Sequence, residues 1–143
     1  MIADGDYYAR IVESVMDGLE ALDVTGYRWD TSDGWTQAGA EKDVADTPIH
    51  LRAWFGLGQA GKWARFEIQH TAILSFAARY QHDQDALCQG RAHAACRHAA
   101  DFLGGWGLPT GERLLPTGWN VEQTPNDFLR CSVTCILTIP RGR

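Results

Sequence analysis

The chain predicts an α+β fold: a mainly antiparallel sheet packed against two helices, with a projecting β-hairpin and a long loop. Three observations carry this expectation. Segments 6–22 and 83–103 repeat apolar residues at helical spacing, segments 49–57, 64–80 and 128–139 alternate with a period of two, and the order is helix, strands, helix, strands. Two helices against one sheet is the economical way to bury both patterns. At 143 residues the chain makes a single domain, 1–143, large enough for one core.

Each element has its own signal. In the first helix Tyr8, Ile11, Val12, Val15, Leu19 and Leu22 share a face, with acids at the start to suit the helix dipole. Gly26-Tyr27-Arg28-Trp29 can begin a short strand. Residues 30–47 lack periodicity and read as a long loop, a length that is usually functional or disordered. In the next strand Ile49, Leu51, Ala53, Phe55 and Leu57 oppose His50, Arg52 and Trp54. Its partner sets Phe66, Ile68, Ala72 and Leu74 against Arg65, Glu67, Gln69 and Thr71. The three glycines of Gly56-Leu57-Gly58-Gln59-Ala60-Gly61-Lys62 then read as a hairpin loop using positive φ. The second arm, about 18 residues, would span roughly 60 Å if straight, so it must bend, end early or project.

The second helix shows a stripe of Cys88, Ala92, Ala95, Ala99 and Phe102, with Leu87 and Leu103 alongside. Small residues there allow close approach to a sheet, and Gly104-Gly105 predicts a left-handed helix end. Trp119 to Gln123 reads as a short strand, and Thr124-Pro125-Asn126-Asp127 as a turn. Phe128 to Ile139 closes the chain, with Leu129, Cys131, Val133, Cys135, Leu137 and Ile139 on one face.

The same glycine segment spells G-x-x-x-x-G-K, the front of a phosphate-binding loop. A working loop needs Ser or Thr after the Lys to hold Mg²⁺ and must open a helix. Trp63 follows Lys62, and strand alternation follows Trp63. No nucleotide, metal or other cofactor is therefore expected. Cys88, His93, Cys96 and His98 share one helix, but Cys88 and Cys96 lie about 12 Å apart along its axis. Cys131 and Cys135 are about 13 Å apart along a strand. Neither pair has zinc-site spacing, and buried free thiols are the better account. A Cys96–His93 nucleophile pair lacks an orienting third group. Asp4/Asp6 and Asp83/Asp85 sit at helix starts, where dipole and capping effects explain them. Glu41, Asp43 and Asp46 read as solvated loop charge, and His70, on the apolar parity, as a hydrogen-bonded core histidine.

Composition narrows the function classes. No apolar run approaches the roughly 20 residues of a membrane span, and the start Met1-Ile2-Ala3-Asp4-Gly5-Asp6 predicts no signal peptide. Four cysteines without such a signal predict reduced thiols. A net charge of −5 argues against broad phosphate-backbone binding and suits a surface that lets nucleic acid pass. There are six tryptophans, and Trp29, Trp35, Trp63, Trp106 and Trp119 are placed at loops or the hairpin, with Trp54 on the polar parity of its strand. Core-edge caps explain any one of them, while so many peripheral aromatics also suit protein interfaces.

The order of elements resembles the tail terminator (head–tail joining) proteins of long-tailed bacteriophages, lambda type. The matching features are the N-terminal amphipathic helix, the strand Ile49-His50-Leu51-Arg52-Ala53 led by Pro48, and the strand Trp63-Ala64-Arg65-Phe66-Glu67-Ile68. The Asp83-Gln84-Asp85 helix start and the turn-strand unit from Trp119 to Ile139 complete the set. The resemblance implies a non-enzymatic virion protein, assembled in the host cytoplasm, that forms a homohexameric ring on the tail tube. Its partners would be itself, the tail tube protein and a head–tail connector or stopper, with DNA only passing through the channel. Ring closure needs a heterologous interface, expected at Trp35, Trp54, Gly58, Gln59, Lys62 and Trp63. Another neck or tail component, or a small Cys/His-based enzyme or ligand-binding domain, is the competing expectation.

Overall fold

Strand alternation is realised most fully at the chain's end. In the computed structural model, which describes residues 4–22, 28–31, 34–36, 39–41 and 50–141, strand β5 (Phe128–Pro140) buries every one of its six predicted core residues. It lies between β3 (Glu67–Arg79) and β4 (Arg113–Gln123), antiparallel to both. Strand β2 (His50–Trp63) flanks β3, and β1 (Arg28–Thr31) runs parallel to β2, giving the order β1-β2-β3-β5-β4. With helices α1 (Asp4–Glu20) and α2 (Asp85–Gly105), this is the expected α+β fold with a mainly antiparallel sheet.

Both helices cover one face of the sheet. Ile11, Val15, Met16 and Leu19 of α1 meet Leu51, Ala53 and Phe55, while Cys88, Ala92, Ala95, Cys96, Ala99 and Leu103 of α2 meet the buried row of β5 in one core. The α1 helix lies over β1 and β2, and α2 over β4 and β5. Because alanines dominate the inner face of α2, its backbone rests close on the sheet, and Phe102 takes the space over Gly18 of α1. At the centre, Trp29 and Phe76 stack edge to face with centroids 5.0 Å apart. Trp29 is therefore a core residue rather than a loop aromatic, 2% exposed. No helix among the described residues is long and apolar enough to cross a membrane.

Several local expectations are corrected. The Gly56–Lys62 segment is not the hairpin turn: it lies inside β2, and the chain reverses at Ala64–Phe66, where the Ala64 N–H bonds to Glu67 O at 3.0 Å. The glycines mark register shifts between Leu57 and Ala60 and between Ala60 and Lys62, as glycine in a strand interior often does. Among the described glycines only Gly111 has positive φ. On one side the hairpin is anchored, since β3 pairs with β5 along its whole length and Arg141 donates to Ala64 O at 2.9 Å.

Helix α2 does not end left-handed either. It runs through Gly105, and Trp106 closes it in an extended conformation with its N–H on Leu103 O. Strand β4 starts at Arg113, earlier than Trp119, and carries Pro116 within it beside a further register shift. An edge strand tolerates a proline, which has no N–H to offer a neighbour. The turn at 124–127 forms as expected, with Asp127 at φ 62°.

The opposite face of the sheet is covered at one end by the described part of the long loop. Ala40 packs on Ala77 there, with Trp35 and Phe128 against them. Glu41 is not solvated: it is 6% exposed and accepts hydrogen bonds from Thr124 Oγ1 (2.9 Å) and Asn126 Nδ2 (3.2 Å). Asp43 and Asp46 lie outside the described residues.

Candidate functional site

Strand β1 stops at Thr31, level with Ala53, while β2 continues to Trp63. Beyond Ala53 the outer edge of β2 has no partner strand among the described residues. A groove of about 710 Å³ opens there between α1 and β2. Its apolar lining is Val12, Met16, Phe55 and Leu57, with Glu13 and Asp17 on the helix side. The volume is in the range of ligand pockets, but its wall is a strand edge whose N–H and C=O groups can accept another strand.

Trp54 forms part of this wall from the opposite face of β2. Its indole lies across Gly56, where a methyl group would sit 1.9 Å from Trp54 Cη2. Only glycine leaves room for the ring in this position, which gives Gly56 a packing role in place of the turn role expected of it. Of the other expected interface residues, Gly58 is an exposed strand glycine, and Trp35 is half-buried against Ala40 and Ala77 and is not among the residues lining the groove. Gln59, Lys62 and Trp63 sit in the irregular last part of β2, and their side chains lie outside the described residues. The structure thus joins Trp54 to the groove and places Trp35 elsewhere.

At the other end of the sheet, β4 presents its own outer edge, bridged among the described residues only by Gly107 at Arg113. Trp119 stands on the helix-covered face of this edge, 43% exposed, and its Nε1 donates to His93 Nδ1 at 3.1 Å. Leu115 is 61% exposed. Trp106, by contrast, is half-buried, and its Nε1 donates to Ser14 Oγ at 3.3 Å, tying the α2–β4 connection to α1.

The remaining polar clusters have structural partners. Tyr8 OH approaches His70 Nε2 at 3.4 Å, with the rings edge to face at 5.3 Å. His70 is thus a hydrogen-bonded histidine, and burial lowers its pKa from 6.5. A neutral, half-buried imidazole binds its proton more readily in the unfolded chain, so the stability it provides is present above pH 6.5 and is lost as pH falls through the lowered value. His70→Gln should therefore flatten the slope of unfolding free energy below pH 6.5, measured by urea titration at a series of pH values. An unchanged slope would remove His70 as its source.

Glu112, 1% exposed, accepts hydrogen bonds from Tyr7 OH and Thr110 Oγ1. No sequence signal marks it, because it follows a Pro-Thr-Gly turn at the start of β4. Tyr80 OH donates to Asp85 Oδ1 at 2.6 Å, and that bond, with burial, pushes the phenol up to about 12. Asp85 is engaged this way, and no side chain caps the start of α2. His82 and Asp127 meet at 2.6 Å on the surface.

All four cysteines are buried and free. The Cys131 thiol is pushed well above its usual range by its hydrogen bond with Cys96 and by burial, and burial pushes Cys135 up to about 12. Thiols held neutral are poor nucleophiles and poor metal ligands. The His93–Cys96 pair does not come together on one face: Cys96 points into the core, and His93 faces Trp119. Among the described residues no three His, Cys, Asp or Glu side chains are grouped as metal ligands. No protein-family model matches the chain, and no curated protein matches it in sequence.

Proposed function

We propose that this chain is a structural bacteriophage protein that assembles into a ring on the tail tube, ends tube growth and joins the tail to the head connector. The observation that carries the reading is a single sheet that presents, among the described residues, two unlike unpaired edges, one at β2 beyond Ala53 and one at β4. Association of unlike patches is heterologous, and it closes into a ring when the rotation between neighbours divides a full turn. The resemblance in element order supplies the tail-terminator assignment, with six copies as the expected number. Other ring-forming neck and tail components share the same requirement. A net charge of −5 suits a channel through which DNA passes without adhering.

Light scattering on the purified protein, with negative-stain images, tests the ring. The expected result is one oligomeric species with a central channel and cyclic symmetry. Added to a polymerising tube protein encoded by a neighbouring gene, the oligomer should cap the growing ends and shorten the tubes. A protein that stays monomeric at all concentrations rejects the ring. Tubes of unchanged length with intact rings would shift the assignment to another neck component.

A further inference from the structure

We infer that the β4 edges of two copies pair antiparallel about a two-fold axis at Val121, with their α2 helices packed side by side above the seam. The inference goes beyond the ring reading and does not rest on it. A two-fold contact joins two copies whether or not other surfaces close a ring, and between rings it gives a dihedral assembly.

The backbone supplies the seam. The Thr124 N–H bonds to Phe128 O across the β4–β5 hairpin at 2.8 Å. Backbone groups alternate sides along a strand, so Asn120 and Glu122 also bond inward to β5, while Trp119, Val121 and Gln123 turn theirs outward. From Gly118 to Gln123 every residue is exposed except Val121, which is half-buried. In the register centred on Val121, Trp119 meets the partner's Gln123, Val121 meets the partner's Val121, and Asn120 meets the partner's Glu122 on the open face. The outward pairs then exchange about six hydrogen bonds, whereas centring on Asn120 gives about four. This register also clears the connection before β4, where Gly107 bridges Arg113 and the Leu108 N–H bonds to Glu112 O. The place opposite Arg113 lies past the partner's Gln123, where its chain has already turned back into β5.

The helices fit above the seam. Helix α2 lies over β4 and β5, so one strand spacing between the two β4 strands puts the α2 axes about 10 Å apart, a distance at which helices pack. His93, which accepts the Trp119 N–H, marks the flank of α2 at this edge. Gly104 marks it again, since a methyl group there would lie 3.6 Å from Pro116 Cδ. The helical period adds Ala86, Gly90, Arg97 and Ala100 to the same flank. Apart from His93 and Arg97, no side chain on it exceeds a methyl group, and a methyl on Gly90 would meet nothing within 4 Å. A second helix can therefore approach closely.

Charge fixes the pairing. Helix α2 starts beside the β4–β5 turn, where Tyr80 holds Asp85 and bonds to Asp127 O. Trp119 is level with His93, and Val121 lies about 7 Å nearer the start of α2, about four helical residues. The axis thus passes near Gly90. Arg97 stands seven residues after Gly90 and Asp83 seven before it, so the axis brings each to the other. Both are exposed, and the antiparallel helices set an Arg97–Asp83 pair at either end of their contact, which favours this register.

Sedimentation over a concentration series, combined with amide hydrogen exchange, tests the seam. The parent should associate in pairs, and the amides of Trp119, Val121 and Gln123 should slow as it does. Those of Asn120 and Glu122, already bonded to β5, should change little. Val121→Pro removes an outward N–H and should abolish the pairing while the β4–β5 ladder remains. Arg97→Glu and Asp83→Arg should each raise the dissociation constant of the pair about tenfold, and together in one chain they should restore it. A folded Val121→Pro variant with the parent's mass overturns the interface, as does a double variant no tighter than either single one. So does a parent whose Trp119, Val121 and Gln123 amides exchange freely at every concentration. Rings that persist in Val121→Pro reject this interface and leave the ring standing, whereas pairs that form without rings support the interface and reject the ring.

Discussion

Phe76→Ala should destabilise the protein by about 3–5 kcal/mol, the range for truncating a buried aromatic. Phe76 is fully buried in β3 and supports Trp29 through the edge-to-face contact at 5.0 Å. Its removal takes away its own burial and the aromatic pair, and leaves a cavity beneath β1. Strand β1 is only Arg28–Thr31 and pairs with β2 alone, so it has few other contacts with which to absorb the loss. Chemical denaturation by circular dichroism measures the change. Phe76→Leu, which refills part of the cavity, should recover about half of it. A loss below about 1 kcal/mol, the level of surface substitutions, would mean that Trp29 and Phe76 do not form the centre of the core.

Glu112→Ala should have the second largest effect, a loss of about 2–3 kcal/mol by the scale for hydrogen bonds to a charged group. The carboxylate receives Tyr7 from α1 and Thr110 from its own turn, almost without solvent. Truncation leaves both hydroxyls in a site built for an acceptor and frees the start of α1 from the start of β4. Glu112→Gln keeps one carbonyl acceptor and should lose less. The sharper reading is hydrogen exchange: amides in the first turns of α1 should exchange faster in the Ala variant, while those at the centre of β5 change only with global stability. Equal losses for Ala and Gln would indicate that the negative charge, rather than the bonds, is what the site needs.

The parts of the fold that were legible in sequence are those where one local period decides the outcome. Strand β5 is the clearest, because one face is buried along its whole length and its six apolar positions alternate without interruption. The inner stripes of α1 and α2 follow for the same reason at the helical period. What misled was punctuation. Gly56, Gly58 and Gly61 carry the chemistry of a turn but sit in a strand, where they accommodate Trp54 and the register shifts. The actual reversal, Ala64-Arg65-Phe66, has no turn residue to announce it. Pro116 and Gly118 hid the first half of β4 in the same way, because only an edge position tolerates them.

The candidate site was less legible, since it depends on where a distant strand ends. No residue in β2 reports that β1 stops at Thr31, and nothing in α1 reports that Glu13 and Asp17 overlook an open edge. Trp54 and the class of peripheral tryptophans were found by parity and count. Trp29 was mistaken for one of them because its strand is too short to show a period. Buried carboxylates are similarly silent: Glu41 and Glu112 lie in polar, aperiodic sequence, and only their tertiary partners set them apart.

The sheet's order also sets how the chain can fold. Strands β2 and β3 form one hairpin and β4 and β5 another, each joined by a short reversal. Within the sheet the two are joined by the β3–β5 ladder, which pairs Glu67 with Pro140 and has all of α2 in between. Closing that long loop carries an entropic penalty that neither hairpin meets, and distant pairings of this kind are what slow a fold. The rate-limiting event should therefore be the joining of two preformed halves along a seam, with Leu74 and Val133 at its middle. Until the seam closes, the inner edges of β3 and β5 are as open as the outer edges of the finished sheet, and each can pair with the wrong chain.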